Sequence, residues 1–253
     1  TLNLVTSIAL ITITVTLALV WMAQMQNEQA KVATYTMVQG GLEAMGERIK
    51  SLANDYGWWE EHYDAYVAED TEWLQPNVGD GVVETYIADL MAIIPFKGGI
   101  KFSWIDEEKH NVTAAEILSP DTIEGIHRLA EGMPIESLVS RSTYILVGGQ
   151  VMLAAVSRIT PVSKASEVAP ESLPFFVVGD FLTKERLQEL GASFLIDDLR
   201  LLLKPDSDRQ EYSDFPIITD IDGKGVGRLI WTPPTPGYSV LQSIYLPMGI
   251  TLG

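Results

Sequence analysis

Twenty consecutive residues, Leu4 to Ala23, carry no charge, and only scattered Thr and Ser interrupt their apolar side chains. Coiled as a helix at about 1.5 Å per residue, such a run matches a hydrocarbon core roughly 30 Å thick. It is longer than the apolar core of a secretory signal peptide, and no A-x-A-like cleavage site follows it. The run is therefore expected to be a transmembrane helix, with Trp21 near its end as an interfacial anchor.

The residues after that helix suffice for one ordinary domain with a sizeable core. The chain holds 17 Lys and Arg against 34 Asp and Glu, a formal net charge of -17. That balance excludes nucleic acid, whose phosphates need a basic surface, and disfavours a peripheral grip on anionic lipid. With no Cys there are no disulfides, no thiolate metal sites and no Cys nucleophile.

The membrane helix runs on without Pro, past Gly40-Gly41, into an amphipathic stretch. Leu42, Met45, Ile49, Leu52, Tyr56, Trp59 and Tyr63 recur at steps of three and four, which predicts one continuous helical stripe. Pro76 and Gly79-Asp80-Gly81 close this part, and a second helix is expected over 82–94. Strand patterns then read at 100–105 and, more weakly, at 110–118, before a short helix over 122–130. Two strands, 142–147 and 150–159, flank the Gly148-Gly149 pair that suits a tight hairpin. A further strand over 173–181 leads to a helix over 183–190, stopped at Gly191. Strands at 217–219 and 226–231 flank the turn at 220–225, and the tail from Tyr238 is apolar again. The order predicts an α+β fold in which helices flank a sheet.

Four segments, DYGWWEEHYDAYV, the Gly-Gly hairpin into VMLAAVSRITPV, FFVVGDFL and DIDGKGVGRLIW, together resemble the extracellular CHASE sensory domain of the fourth class, the cyclase/histidine-kinase-associated sensory extracellular family. The resemblance covers about Gln29 to Leu246. Its most specific element is a Tyr-Ala-x-Trp-Asp-Asp-x-Tyr pattern, which falls on Tyr56, Gly57, Trp58, Trp59, Glu60, Glu61, His62 and Tyr63. Gly57 replaces Ala, and two Glu replace two Asp. The resemblance implies a PAS- or Cache-like antiparallel sheet, carried by a receptor whose cytoplasmic part is a diguanylate cyclase, phosphodiesterase or histidine kinase. It implies no particular ligand.

Several residues suit a ligand site on the sheet face beneath the aromatic helix. Trp59, Tyr63 and Trp104 are the expected walls, with Trp58 beside them and Glu61 and Arg158 as polar readers, since pockets are mostly apolar with a few placed polar groups. The same aromatic stripe also reads as core packing. Glu60, Glu61 and Asp64 form an acidic group able to hold a hard cation or an amine, or else a solvated helix face. Arg158 and Arg141 suit either a carboxylate clamp or ion pairs with that face. His62, His110 and His127 have no metal-ligand spacing, and Asp220-Ile221-Asp222-Gly223 lacks the later ligands of a calcium loop. No metal and no cofactor is expected. A hydrolase built on Glu60, Glu61 and His62 is disfavoured, because adjacent helical residues do not face one another.

The expected organisation is a transmembrane helix over 1–25, an extracytoplasmic sensory domain over 26–245 and the start of a second transmembrane helix over 246–253. Such a chain is the N-terminal part of a longer inner-membrane receptor for a small molecule, with its domain periplasmic or extracellular and any enzymatic module beyond residue 253. A protein-binding adaptor reporting on a partner subunit is the alternative. Met25, Val32, Tyr35 or Thr36, Val38, Leu42, Met45 and Ile49 recur at roughly heptad spacing, which suits a parallel homodimer through the N-terminal helix or packing on the chain's own sheet.

Overall fold

Residues 2–57 contain no Pro, and the chain forms one helix, α1, over Leu2–Gly57. This is seen in a computed structural model that describes residues 2–79, 83, 88–135 and 138–245. The expected second membrane entry at 246–253, the Asp80-Gly81 turn and most of 82–87 lie outside the described residues.

The chain falls into two units. One contains Thr1–Gly40, Gln188–Leu199 and Trp231–Gly253. Here the apolar start of α1 is bare: Leu4, Ile8, Leu10 and Ile11 are all more than half exposed. Further along, Ala23, Asn27, Thr34 and Val38 are buried, whereas Met25 and Val32 are exposed. The final described helix, α8 (Pro236–Tyr245), starts against the buried stripe. The Gly237 N–H donates to Asn27 Oδ1 at 2.8 Å, and a Cβ on Gly237 would meet the Ala23 backbone. The Tyr35 and Trp231 rings pack at 6.3 Å.

The other unit, Gly41–Leu187 with Arg200–Ile230, holds two sheets. Five antiparallel strands, β1 (Leu90–Ile94), β2 (Phe102–Ile105), β3 (Arg141–Val147), β4 (Gln150–Arg158) and β5 (Phe175–Phe181), lie in the order β2-β1-β5-β4-β3. This is the antiparallel sheet with flanking helices that the resemblance implies. The β3-β4 turn is Gly148-Gly149 with φ of 54° and 76°, a left-handed pair that glycine adopts without a steric cost. A smaller sheet, β6 (Arg200–Leu203), β7 (Ile217–Thr219) and β8 (Gly225–Ile230), has the order β6-β8-β7 and joins β3 through a bridge from Tyr144 to Asp220.

Both faces of the large sheet are covered, so β1 and β5 are buried at every position. Leu90, Ala92, Met152, Ala154, Phe175 and Val177 face one way, into a core closed by α5 (Ala114–Ile117) and α6 (Pro120–Ala130). Phe176, Asp180 and Ser157 face the other way, toward the second half of α1 and α2 (Glu60–Ala68), which the single-turn α3 (Thr71–Leu74) follows. Phe175, Phe176 and Phe181 are among the largest fully buried side chains. Each is worth about 1.5–3 kcal/mol relative to exposure.

Three sequence expectations of secondary structure fail here, each for a local reason. The expected helix over 82–94 ends instead as strand β1, because Leu90-Met91-Ala92-Ile93-Ile94 is a short apolar run buried on both faces, which periodicity cannot tell from a buried helix. The expected strand at 110–118 is replaced by two single-turn helices, α4 (Glu107–His110) and α5. Asp106 caps the first by accepting the Lys109 N–H, and Thr113 with Glu116 forms a capping box on the second. Helix α7 (Lys184–Ser193) runs through Gly191, whose missing side chain admits the Ile196 carbonyl rather than stopping the helix. Strand β6 was not expected at all.

Candidate functional site

Helix α1 stops at Gly57, and Trp58 and Trp59 form the break before α2. Tyr56, Trp59 and Tyr63 therefore do not share one helical face, as their spacing predicts. The break sits where α1 touches β4. A Cβ on Gly57 would fall 2.7 Å from the Arg158 carbonyl oxygen and on the Ser157 hydroxyl. Ser157 Oγ donates to the Ala53 carbonyl at 2.6 Å, and the Thr160 N–H donates to the Gly57 carbonyl at 2.8 Å. The smallest residue is required at 57 by this contact.

Around the break the aromatic residues pack ring on ring. Tyr56 stacks on Phe176 at 5.6 Å, His62 meets Phe176 edge-on at 5.2 Å, and Trp59 contacts Tyr56 at 5.8 Å and Trp73 at 4.9 Å. His62 is fully buried and its Nδ1–H donates to the Tyr56 carbonyl at 2.7 Å. Burial lowers its pKa to about 4, against the raising effect of that bond, so the ring is neutral at pH 7. Glu60 accepts both the Ser163 N–H (2.8 Å) and the Ser163 hydroxyl (2.6 Å), which hold its carboxyl below its usual range. Glu61 and Asp64 are exposed. With Glu60 bound to Ser163, Glu61 in solvent and His62 in the core, these three do not converge into a catalytic group.

The structure divides the expected ligand residues between the two sheet faces. Trp104 stacks on Phe102 at 6.1 Å and presses on Gly79, on the α1 side; Tyr63 is half-buried on α2. Arg158 pairs in register with Phe175 and faces the α6 side. Only Trp58 stays with it, where both line a narrow cleft beside Gly57 and Ser157.

On the α6 side lies a cavity of about 420 Å³, whose lining includes Phe96, His127, Arg158 and Phe175, with Glu131 and Glu171 among its acidic residues. Helix α6 forms here because Ser119 caps it, Pro120 opens it and Ile123, Ile126 and Ala130 are buried. It is docked by Ile221, which packs on Gly125, and by Arg128, which pairs with Asp222 and with Glu124 at 2.9 Å. Arg141, a candidate carboxylate clamp, instead donates to the Leu129 and Glu131 carbonyls at the end of α6.

With Arg128, Arg158 is one of two cations that line this cavity among the described residues. Its guanidinium lies 5.0 Å from the Phe175 ring centre and 5.9 Å from that of Phe96, and Nη1 donates to the Pro170 carbonyl at 3.0 Å. Its Nε is buried without a hydrogen-bond partner, and among the described residues it forms no ion pair. Burial lowers its pKa and Glu171 partly offsets that. His127 stacks on Phe96 at 6.4 Å and 18°, and its Nε2 is likewise buried without a partner. Buried polar atoms are nearly always paired, so two orphans beside one cavity suit a ligand-binding surface. Phe96, Phe175 and His127 carried no sequence signal for this role beyond being aromatic.

A second polar group ties α1 to the sheet. Asp180, the single charge within strand FFVVGDF, pairs with Arg48 of α1 and, at 3.4 Å, with Arg186 of α7. Asp89 accepts from Arg186, from Lys109 at 3.2 Å and from the Phe181 N–H at 2.9 Å, with His110 Nε2 at 3.1 Å. Burial works to raise the Asp89 pKa, but Arg186 and its other donors outweigh it and hold the carboxyl below its usual value. An isolated charge in an apolar strand is the signal that marks Asp180.

Residues 42–202 match the CHASE4 domain family. The chain belongs to that family. CHASE4 domains are sensory, and the region is an extracellular sensor domain of a signalling receptor rather than a catalytic one. The crystal structure of the Vibrio cholerae LuxQ periplasmic domain is similar at 13% identity and a TM-score of 0.43, covering 81% of this chain and 97% of that chain. No curated protein matches the chain.

Proposed function

We propose that this CHASE4 domain is the ligand-sensing ectodomain of an inner-membrane receptor, and that its small-molecule site is the cavity beside Arg158 beneath α6. Residues 4–23 cross the membrane, residues 26–245 lie outside, and 246–253 begin the return span toward a diguanylate cyclase, phosphodiesterase or histidine kinase module. The bare apolar start of α1 supports the crossing, since it is the helix long and apolar enough to span a bilayer among the described residues.

The single observation that carries the site is the pairing of an aromatic-walled cavity with a half-buried guanidinium whose Nε has no hydrogen-bond partner. Trp59, Tyr63 and Trp104 then serve as packing between the helices and the opposite face, and Trp58 backs Arg158. Binding favours one arrangement of sheet and α1, and the membrane helix passes it inward.

A thermal-shift screen of small molecules against the chain in lipid nanodiscs tests this, because a ligand selective for the folded state raises the melting temperature. A hit should lose its effect in Glu131→Trp, where an indole at an exposed rim position fills the mouth. A shift that survives in Glu131→Trp but vanishes in Trp59→Leu would move the site to the α1 side.

A further inference from the structure

We infer that the cavity beneath α6 takes a small organic monocarboxylate with a flat or apolar body, its carboxylate held by Arg158. This rests on the cavity being the sensory site. The argument starts from the donors left over. Arg158 Nη1 is committed to the Pro170 carbonyl, which leaves the Nε and Nη2 edge of the fork; Nε has no partner. Two parallel N–H groups on one guanidinium edge match the two oxygens of a carboxylate. His127, whose Nε2 is also buried without a partner, belongs to the same lining.

Charge sets the limit of one. The protein carries a net charge of -17, and Glu124, Glu131 and Glu171 are exposed at the cavity. Arg128, the other guanidinium of the lining, is already paired with Glu124 and Asp222. One desolvated cation thus faces a rim of carboxylates, so a second negative charge on the ligand meets repulsion without a partner. The body of the ligand meets Phe96, His127 and Phe175, of which Phe96 and His127 lie within 18° of parallel. About 420 Å³ falls toward the small end of ligand pockets and favours a compact molecule.

The test uses the full chain in nanodiscs with benzoate, phenylacetate and propionate as probes, benzamide and phenylacetamide as uncharged isosteres, and phthalate as a dianion. At least one acid should raise the melting temperature and bind by calorimetry, with its amide and phthalate at least tenfold weaker. Arg158→Gln should weaken the acid by more than tenfold, and Glu171→Lys, at an exposed position, should tighten it severalfold even if Arg158→Gln fails to fold. Binding of no acid, amides that bind as well as acids, or Glu171→Lys without effect would each overturn the carboxylate assignment. Acid binding unchanged in Arg158→Gln but lost in Glu131→Trp would overturn the reader while leaving the cavity as the site. Acid binding unchanged in Glu131→Trp would overturn the cavity itself.

Discussion

Ser157 and Arg158 are adjacent on β4 and serve opposite faces of the sheet: Arg158 lines the cavity beneath α6, and Ser157 holds the Ala53 carbonyl of α1 at 2.6 Å. Phe175 and Phe176 repeat the arrangement on β5, one ring beside Arg158 and the other stacked on Tyr56. Because a strand alternates its side chains, a ligand that shifts β4 or β5 on one face moves the grip on α1 on the other. Packed elements of this kind shift between discrete arrangements rather than deform smoothly.

The tightness of that grip is testable at Gly57. Gly57→Ala places a methyl group 2.7 Å from the Arg158 carbonyl and against Ser157. Chemical denaturation should show a loss of about 1–3 kcal/mol, the usual cost of overpacking. A neutral or stabilising effect would mean that α1 does not lie this close to β4.

His62 makes stability depend on pH. Its pKa is about 4 in the fold against an ordinary 6.5, so the unfolded chain binds the extra proton between those values. Its contribution is present in full above pH 6.5 and is lost as pH falls through about 4, amounting to roughly 3 kcal/mol. His110, also lowered chiefly by burial, acts in the same direction. Denaturation from pH 7 to 4 should therefore show a shallower fall for His62→Phe than for the native chain; equal slopes would contradict a buried neutral His62.

Much of this was legible in the sequence, and each failure has its own local cause. Period and glycine pairs located the second half of α1, the Gly148-Gly149 hairpin and α6, because each has one face in the core and one outside or a turn that glycine eases. Leu90–Ile94 misled because both its faces are buried, and 110–118 misled because caps at Asp106 and Thr113 outweighed its strand-like residues. The site divided for a similar reason. Arg158 and Trp59 both looked like pocket residues, but which face each occupies depends on strand register and on where α1 breaks, which no spacing in the sequence records.

The ion pairs of the sheet should be unequal. Asp180 is fully buried between Arg48 and Arg186, and Asp180→Ala leaves those cations without it, at a cost of about 3–5 kcal/mol. Asp222→Ala removes an exposed partner of Arg128 and should cost about 0–1 kcal/mol. Similar losses for both would contradict the difference in burial.

Pairing of α1 between two chains would have to use its exposed stripe. Val32 is 67% exposed while Val38 is fully buried. Single cysteines in membranes should therefore crosslink at Val32→Cys and not at Val38→Cys. Crosslinking at neither position would leave the homodimer without its seam.

Hydrogen exchange on the full chain in nanodiscs, with and without the compound that most raises the melting temperature, tests most directly whether a ligand beneath α6 is read by α1. The expected result is slower exchange across 120–132 and 156–160 together with a change across 48–57. Protection confined to 58–74, with 120–132 and 48–57 unchanged, would contradict the account.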